Sequence, residues 1–217
     1  MNRKTDINRV SQQIIHLYTV RKSDLKKCAH LMACAFDNDP SIRYLLGGTE
    51  QGRNDWRYFH TVLGAVFGKC IMLSNDSELN DLLILFPPAL KAVPTLPFLL
   101  NGGIKLPTLF EKGLLIRSLK YEANCKRMKE KIAPSDAWYC MCFVVKPELQ
   151  GKVRGSRLIR SAIRALDCHR ASLYLETHKY VNVELYKHLG FQVKASSPIP
   201  STDIIQYGML RTPNMQL

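Results

Sequence analysis

Acidic residues are scarce in this chain of 217 residues: 18 Asp and Glu stand against 31 Lys and Arg, for a formal charge of +13. Long apolar runs are missing too. The greasiest stretch, Leu82 to Leu100, is broken by Pro87, Pro88, Pro94 and Pro97 and carries Lys91. A membrane span needs ~20 uninterrupted apolar residues, so a soluble protein with no membrane partner is expected. Met1 to Arg9 is polar and precedes only a short apolar run, which does not read as a secretory leader. No C-x-x-C pair occurs among the seven cysteines, Cys28, Cys34, Cys70, Cys125, Cys140, Cys142 and Cys168. Reduced thiols, a cytoplasmic location and no metal site are the expectation. Cys140 and Cys142 are expected to share one face of a strand. Internal repeats, low-complexity tracts, helix-turn-helix patterns, zinc fingers and aromatic RNA-binding signatures are also absent.

What is present suits one large domain with a packed core, since 46% of the residues are hydrophobic and 23% charged. The positive charge gathers in two places. Lys105 to Lys131 holds eight basic and three acidic residues, and Lys152 to Arg170 holds six basic residues and one acid, Asp167. Such charge serves nucleic acid, an anionic cofactor or solubility.

Ile14 to Val20 reads as a first strand. Ser23 then stands as an N-cap for a helix with Leu25, Cys28, Ala29, Met32 and Phe36 at helical spacing, ended by Asn38-Asp39-Pro40. Arg53 to Lys69 reads as a second helix. Gly64, Gly68 and Lys69 are no phosphate loop, because the spacing is a residue short and no strand precedes them. Ile71 to Leu73 and Leu82 to Phe86 read as a hairpin. Residues 91–135 read as an insertion, a Pro/Gly-rich loop followed by a helix from Leu109 to Ile132. Asp136 to Lys146 is a nearly continuous apolar strand, as if buried on both faces.

The stretch from Trp138 to Phe191 carries the chemistry. It reads as strand, basic turn, helix, strand, helix. The turn Gln150-Gly151-Lys152-Val153-Arg154-Gly155-Ser156 opens a helix with an apolar stripe of Leu158, Ile159, Ala162, Ile163 and Leu166. Backbone N–H groups and positive charge at such a helix start suit a pyrophosphate. Tyr186 offers a phenolic proton some thirty residues later. Gly190 suits a left-handed helix cap. A phosphate-bearing cofactor and an acid for its leaving group are implied.

Three pieces occur together: the strand ending Val144-Val145-Lys146-Pro147-Glu148, the Gln150 to Ser156 turn, and Asn182-Val183-Glu184-Leu185-Tyr186 followed by Leu189-Gly190-Phe191. In this order they resemble the GCN5-related N-acetyltransferase (GNAT) family, whose turn signature is Q/R-x-x-G-x-G/A. Val153 replaces the first glycine of that signature. Phe86-Pro87-Pro88, the insertion, Leu175-Glu176-Thr177 and Gly208-Met209-Leu210-Arg211 look like puromycin-N-acetyltransferase-like members.

The resemblance implies an α/β (α+β) fold, with a mixed, mostly antiparallel central sheet, splayed parallel strands and flanking helices. Residues 1–13 would be an extension and 14–212 the N-acetyltransferase domain, with 136–195 as its acetyl-CoA-binding core. Acetyl-CoA would lie between the splayed strands. Phe143, Val144 and Val145 would pair with its pantetheine arm, and an N–H near Phe143 or Val144 would hold the oxyanion. The amides of Gly151 to Ser156 would take the pyrophosphate, with Lys152 and Arg154 adding charge. Asn182 would touch the cofactor arm or cap the last helix. Tyr186 would protonate the leaving thiolate. Glu176, directly or through water, would take the amine proton, or else would pair with a basic neighbour; His178 is a second option. The expected reaction is direct acetyl transfer to a primary amine, with a small-molecule acceptor such as an aminonucleoside or polyamine. The alternatives are a protein or aminoacyl-tRNA amine, a nucleic-acid partner, or a silent CoA-binding relative. A monomer or homodimer is expected.

Overall fold

The computed structural model describes residues 3–47, 55–110 and 113–214. The chain begins with helix α1 (Arg3–Gln12), a short edge strand β1 (Tyr18–Thr19) and helices α2 (Leu25–Ala35), α3 (Pro40–Leu46) and α4 (Asp55–Val66). The hairpin β2 (Ile71–Ser74) and β3 (Asp81–Phe86) follows. The insertion comprises α5 (Thr95–Leu100), a 3-10 turn over Gly103–Thr108 and α6 (Leu114–Ile132). The remainder runs β4 (Trp138–Val145), α7 (Val153–Cys168), β5 (Leu173–Thr177), α8 (Tyr180–Lys187), β6 (Gln192–Pro198) and β7 (Ile205–Arg211).

The strands form one sheet in the order β1-β2-β3-β4-β5-β7-β6. Every neighbouring pair is antiparallel except β4 and β5. That parallel pair is joined only at Trp138↔Leu173 and Tyr139↔Tyr174. Beyond this point β4 continues beside β3 to Val145, while β5 continues beside β7 to Thr177. The two strands therefore diverge, as the resemblance implies.

One sheet face packs on α1, α7 and α8 through Val10, Leu158, Ile159, Ala162, Leu166, Val183 and Tyr186. The other packs on α2 and α4 through Leu25, Cys28, Met32, Phe59, Leu63 and Val66. Such two-sided cover is how an α/β sheet removes apolar area from water. α6 lies over β7. Gly208 makes this approach possible, since a Cβ there would come 2.7 Å from Met128 Sδ and 2.8 Å from Ile132 Cδ1.

Cys140 and Cys142 do not share a face. The pairing with β3 passes from Ile84↔Cys142 to Leu85↔Cys140, so Met141 has no opposite residue. This β-bulge turns Cys140 toward the α7 layer and Cys142 toward the α2 and α4 layer. β4 is not buried on both faces throughout either. Tyr139, Met141, Phe143 and Val145 are half-buried, alternating with buried residues.

The N-terminal part also differs from expectation. Residues 3–12 form α1, and Val10, Ile14 and Leu17 enter the core. Turn bonds from Ile14 N to Ser11 O and from Leu17 N to Ile14 O shorten the expected first strand to Tyr18–Thr19. Asp24, not Ser23, precedes α2, and its carboxylate accepts from Tyr18 OH and Arg21 N at 2.8 Å each. Asp39 does not end α2; it caps α3, accepting from Ser41 N at 3.0 Å and Ile42 N at 3.3 Å.

α7 is fastened at both ends. At its start, Arg154 contacts Asp76 and the fully buried Asp81, both at 2.5 Å. Asn75 Nδ2 donates to Arg154 O at 3.0 Å and to Asp81 at 2.7 Å. At its end, Arg211 donates two hydrogen bonds to Asp167, at 2.6 and 2.8 Å, and a third to Leu189 O at 3.2 Å. Removing one partner of a buried pair leaves the other charge uncompensated. Asp167→Ala is accordingly expected to lower the unfolding free energy by about 3 kcal/mol, measured by urea denaturation; a change within about 0.5 kcal/mol, the range of an ordinary surface substitution, would show that Arg211 finds another partner.

Candidate active site

The divergence of β4 and β5 leaves a gap flanked by distinct chemistry on its two sides. At one end of the gap lies the loop before α7, tied to the end of β4. Gly151 takes the left-handed conformation, with φ +72°, where glycine is unstrained. Lys152 precedes the helix in an extended conformation, and its side chain does not cap the first turn. The helix start thus presents free N–H groups and the positive end of its dipole. Gln150, Gly151, Lys152, Val153 and Ser156 are exposed, so the loop is open. Gln150 Nε2 donates to Val145 O at 3.0 Å and ties the loop to the end of β4.

One expectation here needs correction, that for Arg154, and two positions of the turn signature gain a structural account. Val153 does not crowd a left-handed turn: it is the first residue of α7, its side chain is 79% exposed, and the positive φ belongs to Gly151. Arg154 does not offer its guanidinium to the loop, because Asp76 and Asp81 engage it. Gly155 is small chiefly for packing. A Cβ there would lie 3.0 Å from Val145 Cγ2 and 3.2 Å from Phe143 Cζ, so the glycine lets α7 settle on β4.

Phe143, Val144 and Val145 lie on the diverging part of β4, with Val144 buried and the other two half-buried. Asn182 lies in the first turn of α8. It does not cap the helix; its amide donates to Thr177 Oγ1 at the end of β5, at 3.3 Å. Glu184 is exposed and pairs with Lys187 at 2.8 Å.

Tyr186 enters from the α7 side. It is buried, its ring meets Phe191 at 5.6 Å between centroids, and it packs in the cluster that holds Cys140. Burial, then the nearby Cys140 and Cys142 thiols, hold its pKa well above the ordinary phenol value. The hydroxyl stays protonated across the physiological range.

Glu176 enters from the opposite side, beside α6. Tyr174 OH donates to its Oε1 at 2.9 Å, and Tyr139 also hydrogen-bonds the carboxylate. Burial raises its pKa to about 7, against the opposing pull of these two bonds and of the Lys129 charge. Tyr121 stands further along α6, its ring 5.7 Å from that of His178. Burial lowers the His178 pKa, and its Nε2 is buried with no hydrogen-bond partner among the described residues. Sequence reasoning missed Tyr121, Tyr139, Tyr174 and Lys129. The four-residue spacing of Tyr121, Cys125 and Lys129 on the expected helix was the available signal.

Residues 122–191 match the model of the Acetyltransferase (GNAT) family. That segment, from within α6 to the residue before β6, is similar to the acetyltransferase core of this family. The GNAT fold extends beyond the matched segment. The histone acetyltransferase HPA2 and related acetyltransferase of Corynebacterium glutamicum superposes with TM-score 0.63 at 19% identity, over 92% of this chain and 96% of that one. Arylalkylamine N-acetyltransferase 2 of Aedes aegypti gives 0.59 at 14% identity, over 91% and 98%. The C-terminal condensation domain of Ebony, in complex with β-alanyl-dopamine, gives 0.61 at 7% identity, over 90% and 97%. No helix among the described residues is long and apolar enough to cross a membrane. No cluster of metal-binding side chains occurs among them.

The raised pKa of Glu176 carries a stability consequence for the fold. The fold favours the neutral carboxyl, so the stability it contributes is complete below about 4.5 and is lost as pH rises through about 7. Glu176→Gln is expected to be more stable than the parent at pH 8 by roughly 3 kcal/mol, with the gap shrinking toward pH 5. Thermal melts of both proteins at the two pH values check this; an equal offset at both would detach the effect from ionisation.

Proposed function

We propose that this chain moves the acetyl group of acetyl-CoA onto the primary amine of a small molecule, by direct attack in a ternary complex. The observation that carries the proposal is the β4–β5 gap, with a protonated phenol on one side and a carboxylate of pKa about 7 on the other. Two ionisable groups with such different proton affinities suit an acid and a base acting at the same pH.

In this reading the pantetheine arm lies along Phe143, Val144 and Val145, and the amides of Gly151 to Ser156 receive the pyrophosphate beside Lys152. Asn182 borders the arm. Glu176 takes a proton from the bound ammonium, and the neutral amine attacks the thioester carbonyl, whose oxygen is held by an N–H of the bulged strand. The thiolate leaves with the proton of Tyr186. The acceptor enters on the α6 side, where Tyr121 and Tyr139 supply aromatic walls. An arylalkylamine name among the similar folds and β-alanyl-dopamine in another point to an aromatic amine. The likeness to puromycin-N-acetyltransferase-like members points the same way, toward a small acceptor. Val153, which stands where the turn signature has its first glycine, is an ordinary helix residue.

A panel of small primary amines with acetyl-CoA, followed by thiol release, tests the proposal. Aromatic amines are expected to support turnover, with kcat/KM rising through about pH 7 as Glu176 loses its proton. No thiol release with any amine, together with no heat on mixing with acetyl-CoA, overturns it. Tyr186→Phe is expected to slow turnover roughly 100-fold with cofactor affinity nearly intact; equal rates from pH 6 to 9 would remove the acid role.

A further inference from the structure

The acceptor side of the gap already contains an amine. Lys129 projects from α6 toward the sheet, and its Nζ lies 4.9 Å from the centroid of the Tyr139 ring. Tyr139 is the last residue of β4 still paired with β5, so this ammonium stands where the gap begins. Tyr139 in turn hydrogen-bonds Glu176, whose carboxylate interacts electrostatically with Lys129. The other lysines of α6 are placed differently: Lys120, Lys126 and Lys131 are exposed, and Lys126 meets Glu130 at 3.9 Å on the helix surface.

We infer that Lys129 is itself an acceptor, acetylated within its own molecule by acetyl-CoA bound in the β4–β5 gap. The inference rests on the transfer reading above. Three features support it. The amine covers the Tyr139 ring, whose hydroxyl hydrogen-bonds the carboxylate assigned as base. Its helix is held against β7 by Met128 and Ile132 at Gly208 and by the 2.6 Å bond from Asn124 Nδ2 to Gln206 Oε1, so the approach is fixed by packing. Burial, with the Lys91 charge, lowers the Lys129 pKa against the opposing effect of Glu176, which enlarges the neutral fraction that attacks.

The step balances without a further reactant. Lys129 ammonium gives one proton to the Glu176 carboxylate. The neutral Nζ forms a bond to the thioester carbonyl carbon, and the carbon–sulfur bond breaks. The thiolate takes a proton, and the nitrogen sheds its second proton as the amide forms. The products are Nζ-acetyl-Lys129, coenzyme A and one proton. The acetylated side chain no longer carries a cation over Tyr139, so the acceptor side is altered for the next amine.

The test uses the full chain incubated with acetyl-CoA alone, with time points digested and acetyl occupancy at each lysine read by mass spectrometry. Lys129 is expected to react at least roughly tenfold faster than Lys120 and Lys126 of the same molecule. Its rate is expected to be independent of protein concentration, and the preference is expected to vanish in the urea-unfolded chain. Lys129 reacting no faster than its exposed neighbours, or at a rate that rises with protein concentration, overturns the inference. An amine panel run in parallel separates the two readings. Thiol release with an added amine but an unmodified Lys129 overturns this inference alone. No thiol release and no acetyl on Lys129 removes the transfer reading as well.

Discussion

The early parting of β4 from β5 governs the rest of the molecule. Parallel strands ordinarily stay paired along their length, because each buried N–H and C=O needs a partner. Here pairing stops after two residue pairs. Two features keep the strands apart. β7 supplies the other edge of β5 over its whole length, from Leu173↔Arg211 to Thr177↔Tyr207. The bulge at Met141 adds local twist to β4 just beyond the last parallel pair. The inner edges are left with main-chain groups that an extended, amide-bearing ligand can satisfy as an added strand.

A gap of this kind is useful only if the groups at its mouth stay in place. Both ends of α7 are fixed by ionic contacts: Arg154 to Asp76 and Asp81, and Asp167 to Arg211. The Arg154 guanidinium is thereby committed to the β2–β3 turn. In the proposed reading, attraction for a phosphate at this end falls to uncapped amides, the helix dipole and Lys152. Amides held by a packed helix are already oriented, so little ordering remains for binding to impose. The same logic explains Gly155, whose missing Cβ brings the helix start against Phe143 and Val145.

Most of this architecture was legible where local signals agree. The apolar run before Pro147, the basic Gly-containing turn and the helical stripe from Leu158 to Leu166 all fall where spacing predicts. The bulge was not legible, because alternation cannot register an extra residue in an apolar run; the shared face expected for Cys140 and Cys142 failed for that reason. Arg154 was misassigned because its partners, Asp76 and Asp81, lie more than seventy positions away in the chain. Pattern reveals that a helix start is basic, but only tertiary contacts reveal which cation is already paired. The polar groups around Glu176 were hidden in the same way, since Tyr121 and Lys129 come from an insertion read only as a loop and helix.

That insertion gives the two sides of the gap their different character. On the α7 side Tyr186 is enclosed by apolar neighbours, and burial leaves its phenol firmly protonated. On the α6 side Glu176 is also desolvated, but two tyrosine hydroxyls and the Lys129 cation offset part of the penalty, which sets the carboxyl near 7. Burial alone would push both groups toward the neutral form and leave an acid without a base. The helix that covers the α6 side thus keeps Glu176 close to ionisation at neutral pH, as the proposed base role requires, and it does so with a lysine that is chemically the same kind of group as the proposed substrate.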